Sequence, residues 1–312
     1  MQKKIVIYGN GRQANFFNKI LNKNLIFKNY NFKNLRKLNP DLIIVANSNN
    51  RHFKILKNIR IKKNILCEKP FCKNLKEAKF INNFFKKNKN CFVNYQYRFE
   101  PFIIFLKKIV EKKKIKNIKK INIEWISSGW NDKKKKINFR QIKSKGGGVI
   151  NDLGSHIIDY LIFIFGNKIE IKDVKKTIKI KKRLNKKNKI KIIDAEDSAK
   201  INLKLDNKIK VFIKVSSVGN SQSYHSIKIF SEKEYFESYQ NFPFKISNIS
   251  MKFISNKKIN TIDYKSNFYS RNLATKKLIA DIFSKKKNIS TFSSSVKVHE
   301  ILNKIQNVGN GL

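Results

Sequence analysis

The first third of the chain alternates short apolar runs with amphipathic stretches. Lys3 to Tyr8, Asp41 to Ala46, Asn64 to Cys67 and Cys91 to Asn94 each centre on an unbroken apolar run, the pattern of strands buried on both faces. Helical spacing fills the gaps: from Gly9-Asn10-Gly11-Arg12-Gln13-Ala14 to about Leu21, after the polar loop Asn47 to His52, and from about Asn74 to Lys87, where Leu75, Ala78, Ile81 and Phe85 share one face. A lysine-rich helix ending near Lys116 closes this part. The period then becomes two. Ile121 to Ile126, Lys189 to Ile193, Ala199 to Leu205 and Lys208 to Val215 alternate as half-buried antiparallel strands do. Lys175 to Lys191 reads as a solvated hairpin, and Phe268 to Phe283 and Ser295 to Val308 read as closing helices. This change of period divides the chain into a first domain over residues 1–118 and a second over 119–312.

The order strand, G-x-G-x-x-A, helix at Gly9 to Ala14 is that of a dinucleotide-binding turn, in which glycines admit a pyrophosphate and the helix N-terminus offers N–H groups. Gly9, Gly11, Arg12 and Gln13 are the candidate cofactor residues there. An acid about 20 residues on normally holds the adenosine ribose. Here that zone reads Asn29-Tyr30-Asn31, and no acid precedes Asp41. Either Asn31 takes the role or a 2′-phosphate is accommodated with Arg12, Lys28 and Lys33 as partners. The cofactor expectation is NAD or NADP, with a lean to NADP. The loops after the next two strands place Asn47, Asn49 and His52, then Glu68 and Lys69, at strand ends facing the same crevice, with His52 equally readable as a structural residue that caps or packs there. Pro70 keeps Lys69 out of the helical region.

Composition changes this picture little. The 312 residues carry a formal net charge of +49, which suggests nucleic-acid binding. The lysines are spread over the whole chain, however, and Asn, Ile and Phe are enriched with them. We therefore read the charge as composition at tolerant surface positions, with no specific nucleic acid as partner. Cys67, Cys72 and Cys91 have no C-x-x-C spacing, so no structural metal and no disulfide framework is expected, and a cytoplasmic location fits. No membrane association is expected either: the N-terminal apolar run is too short for a signal core or a span.

The candidate chemistry lies in Gly146-Gly147-Gly148-Val149-Ile150-Asn151-Asp152-Leu153-Gly154-Ser155-His156. With helical spacing from Val149, Asp152, His156 and Asp159 form a polar stripe, while Ile150, Leu153, Ile157, Leu161 and Ile164 form the apolar side. Asp152 and His156 are then stacked neighbours, an acid orienting a proton-transfer imidazole.

These pieces together resemble the Gfo/Idh/MocA family of nicotinamide-dependent oxidoreductases. The specific matches are Glu68-Lys69-Pro70, the family's E-K-P motif, and the pattern G-G-G-x-x-x-D-x-G-x-H over Gly146 to His156, followed by Asp159 and the Phe163 to Gly166 helix end. Tyr97-Arg98-Phe99 with Pro101, Arg140, and Glu196-Asp197 support it. The resemblance implies an α/β protein: an N-terminal Rossmann dinucleotide-binding domain and a C-terminal α+β domain with an open, mostly antiparallel sheet. It implies hydride transfer between nicotinamide and a hydroxyl or keto carbon of a sugar, nucleotide sugar or polyol. Lys69 would touch the nicotinamide ribose and the substrate oxygen, and His156 would be the general acid/base, with Asp152 beside it. Arg98 and Arg140 are the expected anchors of a substrate carboxylate or phosphate, or else salt bridges joining the domains.

Two departures stand out. The segment before Asp41 is short for the family, so a strand and a helix of the adenosine half are expected to be missing or abbreviated, and the loop after Ala46 lacks the usual proline. Alternative readings are a redox-neutral glycosidase using NAD and a non-catalytic cofactor-binding sensor. Trp125, Trp130 and Tyr224 are candidate specificity residues, with sugar stacking on Trp130, or else core aromatics; both readings stay open. A homo-oligomer, dimer or tetramer, is expected through the exposed face of the second sheet.

Overall fold

The computed structural model describes residues 2–132, 134–219, 222–241, 247–255, 258–266, 270–286 and 288–308. The chain forms two compact units, Met1–Gln96 with Ala274–Glu300, and Tyr97–Leu273 with Ile301–Leu312.

The first unit contains β1 (Lys4–Tyr8), α1 (Arg12–Ile20), β2 (Leu25–Lys28), α2 (Leu35–Leu38), β3 (Leu42–Val45), α3 (Asn49–Asn58), β4 (Asn64–Cys67), α4 (Leu75–Phe84) and β5 (Cys91–Val93). Its sheet has the order β2-β1-β3-β4-β5, and every neighbouring pair is parallel. Ile5, Val6 and Ile7 of β1 and Leu42 to Val45 of β3 have no exposed surface, as strands covered on both faces require.

β2 is a correction to the sequence reading, which passed from the glycine turn directly to Asp41. Leu-Ile-Phe-Lys is short and only half-buried, so it lacks the apolar run that marks its neighbours. The abbreviation does occur after it. A turn of 3₁₀ helix at Phe32–Asn34 and the four-residue α2 are all that separate β2 from β3. α3 also begins earlier than expected, so Asn49 and His52 lie on a helix rather than in a loop.

The second unit holds α5 (Pro101–Glu111), β6 (Lys120–Ile126), α6 (Ser155–Phe165), β7 (Ile169–Thr177), β8 (Lys182–Leu184), β9 (Ile190–Ile192), β10 (Ser198–Leu205), β11 (Ile209–Ser216), β12 (Tyr224–Phe230), β13 (Tyr235–Asn241), β14 (Ser247–Ser255) and β15 (Lys258–Ser266). The large sheet runs β15-β14-β13-β12-β6-β11-β10-β7, with β8 and β9 a separate hairpin. Only the β11–β6 pair within it is parallel. One face carries Ile121, Ile123, Val211, Ile213, Ile227 and Ile229, all buried, and the register places them beside one another.

The units part after Gln96 rather than after residue 118. Lys107 Nζ on α5 donates to the Phe163 carbonyl near the end of α6 at 3.0 Å, a tie within the second unit. The final helices are α7 (Ser270–Phe283) and α8 (Phe292–Asn307). The expected start of the first, at Phe268 and Tyr269, lies outside the described residues. Ser290 and Thr291 extend the first sheet beyond β5: Val93 N–H donates to the Ser290 carbonyl at 2.8 Å, and Phe92 bridges to Thr291. Cys67, Cys72 and Cys91 are free and buried thiols.

Candidate active site

In the first unit, the glycine turn is built for close approach. Gly9 has φ +138°, and a Cβ there would lie 2.9 Å from the Ala46 carbonyl oxygen, so only glycine fits where β1, β3 and α1 converge. A Cβ on Gly11 would meet nothing within 4 Å. That is an open cradle at the N-terminus of α1, the end of a helix whose dipole and N–H groups favour an anion. The pyrophosphate of a dinucleotide fits this chemistry. Arg12 is exposed and Gln13 half-buried on the first turn of α1.

The residue that ends β2 beside this turn is Asn29, not Asn31. Asn29 Oδ1 accepts the Gly9 N–H at 2.9 Å, and its Nδ2 donates to Asn10 Oδ1 at 2.5 Å. Asn31 instead accepts the Lys33 N–H at 2.9 Å and caps the 3₁₀ turn. Placing β2 correctly would have found Asn29 from the sequence.

Glu68 is a buried organiser. Its Oε1 accepts from Gln13 Nε2 and from Asn94 Nδ2, both at 2.6 Å, and its Oε2 accepts the Lys69 N–H at 3.2 Å. One carboxylate therefore ties the glycine-turn helix, the end of β5 and the Lys69 backbone together. These donors occupy the carboxylate that the sequence reading gave to the cofactor. Lys69 itself is half-buried and is joined to Pro70 by a cis peptide bond.

His52, for which the sequence leaves cofactor contact and a structural role both open, is wholly buried. Nε2 lies 2.9 Å from the Asn47 carbonyl, and Nδ1 lies 3.1 Å from the carbonyls of both Pro70 and Phe71. With no accessible surface and both nitrogens against the backbone, its contacts are internal. Asn47 is half-buried and Asn49 is buried.

In the second unit, the helix carrying Asp152 and His156 departs from the expected regular spacing. Ile150–Gly154 forms a π-helical turn, and α6 starts only at Ser155. The wider turn changes the angular relation that an α-helix would give residues four apart. Asp152 Oδ2 receives Arg140 Nε at 3.1 Å, an ion pair in which Arg140 is 40 % exposed and Asp152 20 %.

The expected polar stripe does not face solvent. His156 and Asp159 are 3 % and 1 % exposed. The His156 ring lies 4.8 Å from Tyr97 and 5.7 Å from Trp125, stacked on the latter. Beneath this pair is a second histidine that the sequence reading missed. His225 is 4.8 Å from Trp125 and 5.5 Å from Phe102, and its Nε2 is 3.2 Å from the Tyr160 hydroxyl. Burial pushes its pKa down to about 3, so it is a neutral wall of the site. Trp125 pairs directly with His225 across β6 and β12. Tyr224, one residue away, turns to the opposite face and donates to Glu124. Trp125 and Tyr224 therefore do not line one site. Trp130 is 9 % exposed, with its backbone N–H donating to the Ser217 carbonyl at 2.9 Å.

Arg98 has an internal partner. Its Nε and Nη2 donate to Asp159 at 2.8 and 2.7 Å, and both side chains are nearly inaccessible. The fork is a buried bidentate pair, which accounts for Arg98 without a ligand. The glycine run also serves packing. A Cβ on Gly147 would lie 2.5 Å from the Arg140 carbonyl oxygen, and one on Gly148, at φ +103°, would overlap the Glu196 carboxylate. Glu196 holds the start of the π-helical turn: its carbonyl accepts the Val149 N–H at 2.9 Å and its Oε1 accepts the Ile150 N–H at 3.2 Å.

With this geometry in place, comparison with known proteins gives a consistent answer. The description "Oxidoreductase family, NAD-binding Rossmann fold" matches residues 6–96, and "GFO/IDH/MocA C-terminal domain" matches residues 103–237. The chain belongs to the Gfo/Idh/MocA family. Among curated relatives, an uncharacterized oxidoreductase of Synechocystis sp. is 26 % identical over 143 residues, covering 44 % of this chain and 38 % of that protein. Levoglucosan dehydrogenase of Pseudarthrobacter phenanthrenivorans is 29 % identical over 132 residues, covering 41 % and 34 %. The chain thus spans little more than a third of the length of the curated relatives it matches.

Solved structures extend the likeness over the whole fold. Levoglucosan dehydrogenase in its apo form has a TM-score of 0.82 at 16 % identity, covering 98 % of this chain and 96 % of that one. Its complex with NADH and levoglucosan has a TM-score of 0.80 at 15 % identity with the same coverage. The super-repressor mutant Gal80(S2) of Gal80p from Saccharomyces cerevisiae has a TM-score of 0.77 at 14 % identity, covering 98 % and 95 %. At these identities the likeness shows the fold. It places this Gfo/Idh/MocA chain in the architecture expected from Gly9 to Ala14, Glu68 to Pro70 and Gly146 to His156.

Proposed function

We propose that the protein is an NAD(P)-dependent oxidoreductase acting on a hydroxyl or keto carbon of a sugar-like substrate. The observation that carries this reading is the Glu68 carboxylate, which fixes Lys69 and the glycine-turn helix to one another within the first unit. Gly9, Gly11, Asn29, Asn47 and the first-turn N–H groups of α1 would hold the dinucleotide, and the nicotinamide supplies the hydride acceptor or donor. Lys69 stabilises negative charge on the substrate oxygen, and His156 takes or returns its proton. Arg140 sets the carboxylate of Asp152.

The substrate class we favour is a neutral sugar, anhydrosugar or polyol. Arg98 and Arg140, the cations expected to bind a carboxylate or phosphate, each have a carboxylate partner within the chain. Structural neighbours hold levoglucosan or L-sorbose with NADH, which makes these two sugars the first probes. For the cofactor we retain the lean to NADP, because no acid precedes Asp41 to repel a 2′-phosphate.

The test is to follow absorbance of the reduced cofactor with NAD and NADP separately across neutral and acidic sugars. Turnover of acidic sugars alone would refute the substrate class, and binding of neither cofactor would refute the reading as a whole. A second reading, a sensor that binds cofactor without turnover, is favoured by the likeness to a repressor protein, Gal80p. It predicts cofactor binding that Lys69→Met and His156→Asn leave intact, with no turnover in the unsubstituted protein.

A further inference from the structure

The loops that follow β3 and β4 separate where the strand ladder ends. Its last rung is the Glu68 N–H donating to the Val45 carbonyl at 2.8 Å. Beyond that rung, buried backbone carbonyls need donors from elsewhere. His52 lies between the two loops with no exposed surface, its Nε2 at the Asn47 carbonyl and its Nδ1 at those of Pro70 and Phe71.

A carbonyl oxygen only accepts, so each of these contacts requires an N–H on the ring. A neutral imidazole has one N–H and the imidazolium has two. The ring therefore ties both loops when both nitrogens are protonated, and presents a lone pair to a carbonyl on one side when it is neutral. Burial is the largest effect and lowers the His52 pKa, while the three carbonyls and the Glu68 carboxylate offset it in part; the ring positions, with both nitrogens within 3.1 Å of carbonyl oxygens, are what require two N–H groups. The other titratable groups of this pocket are Cys67 at the end of β4, Cys72 beyond Phe71 and His299 on α8. Burial keeps both thiols protonated. His299 Nε2 accepts the Cys72 N–H at 3.3 Å and so carries no proton there.

We propose that His52 is a positioning residue for Lys69: its buried imidazole clamps the loop after β4, through the Pro70 and Phe71 carbonyls, to the loop after β3, through the Asn47 carbonyl. Glu68 fixes the Lys69 backbone from one side, and His52 fixes the next two residues from the other. The proposal rests on the reading of Lys69 as the group on the substrate oxygen. The clamp itself is testable without that reading.

The experiment is amide hydrogen exchange on the full chain, unsubstituted and as His52→Leu and His52→Gln, with NADH titration of each. Loss of the clamp hydrogen bonds in His52→Leu is expected to accelerate exchange roughly tenfold in residues 46–49 and 69–73, and to raise the NADH dissociation constant by a similar factor. The rest of the first sheet stays within about twofold. His52→Gln, which keeps an N–H donor, restores part of both. Acceleration spread evenly over the sheet would make His52 ordinary core packing and overturn the proposal, as would unchanged loops.

Failure of the unsubstituted protein to bind NADH would sink the functional reading and leave the exchange result decisive for the clamp. If His52→Leu does not fold, nitrogen-15 spectra of the unsubstituted protein decide. Two ring N–H protons in slow exchange with water support the clamp. Fast exchange, or a single protonated nitrogen throughout about pH 5 to 8, overturns it.

Discussion

The Glu196 carboxylate occupies the space that a side chain on Gly148 would need. This relation turns the glycine run from a ligand cradle into a packing device, because the same carboxylate accepts the Ile150 N–H at the start of the turn bearing Asp152. Gly148→Ala combines a left-handed φ with overlap against a buried acid. It is expected to destabilise the second unit by about 2–4 kcal/mol, read as a fall in the denaturation midpoint. Glu196→Gln keeps an Oε1 acceptor and removes the buried charge. Burial raises the pKa of Glu196, the largest effect on it. A raised folded-state value favours the fold below the ordinary glutamate range and costs stability above it. Glu196→Gln is therefore expected to be more stable than the unsubstituted protein at pH 7, by a margin that closes as pH falls through that range. A constant margin across pH would contradict this.

Burial lowers the pKa of His225, His299 and His52, and the first two, shifted furthest, are expected to make the fold acid-labile. Burial lowers His225 to about 3 and His299 to about 4, below the unfolded value of about 6.5. As pH falls below that value, the unfolded chain takes up protons that the folded chain refuses. Stability should then drop by up to about 1.4 kcal/mol per pH unit for each histidine, between roughly pH 6.5 and the folded values. Urea unfolding at pH 7, 6 and 5 measures the slope. His225→Phe leaves the Tyr160 hydroxyl without its partner and should cost about 1–2 kcal/mol at pH 7, while removing one histidine's share of the acid slope. An unchanged slope would show that His225 is not neutral in the fold.

The buried fork between Arg98 and Asp159 gives a sharper stability test. Arg98→Met leaves Asp159, 1 % exposed, without its counter-ion, and is expected to cost about 3–5 kcal/mol. Arg98→Met with Asp159→Asn should recover a large part of that. A folded Arg98→Met of normal stability whose only defect is a raised KM for an acidic substrate would instead return Arg98 to the role of substrate anchor.

What the sequence revealed follows from how local each signal is. β1, β3 and β4 are buried on both faces, so Ile5 to Tyr8, Leu42 to Val45 and Ile65 to Cys67 are unbroken apolar runs. β2 sits at the sheet edge with a half-exposed pattern, and Asn29 was missed with it. β13, with the sequence YFESYQN, buries Phe236, Ser238 and Gln240 on one face. Polar residues on the inner face erase the alternation that marks β10 and β11. Lys69, Asp152 and His156 stood out as candidates because each lies in a contiguous motif. The partners of Glu68, Arg98 and Ile150 did not, since they lie 55, 61 and 46 residues away, and no short-range pattern links them.

For the chemistry, Lys69→Met and His156→Asn should each retain NADH affinity within a few-fold and lower turnover by roughly 10²-fold or more. Lys69 is half-buried, on a loop whose backbone is held by Glu68, so truncating its side chain should leave the denaturation midpoint nearly unchanged. Equal turnover in either variant, at unchanged stability, would remove that residue from the mechanism.

Cofactor choice is expected to turn on Asn29. It ends β2 with φ +46°, a conformation that aspartate tolerates nearly as well as asparagine, so Asn29→Asp should fold. The Gly9 N–H can still donate to Oδ1, and the second oxygen replaces the amide that now faces Asn10. A carboxylate at the end of β2 can hold the two ribose hydroxyls of NAD and repels the 2′-phosphate of NADP. The ratio of dissociation constants for NADP over NAD should therefore rise by about tenfold or more, equivalent to about 1.4 kcal/mol, measured by fluorescence titration of each reduced cofactor. If the ratio does not move, the adenosine ribose does not sit at Asn29, and the exposed Arg12 and Lys28 lose their claim to the phosphate as well.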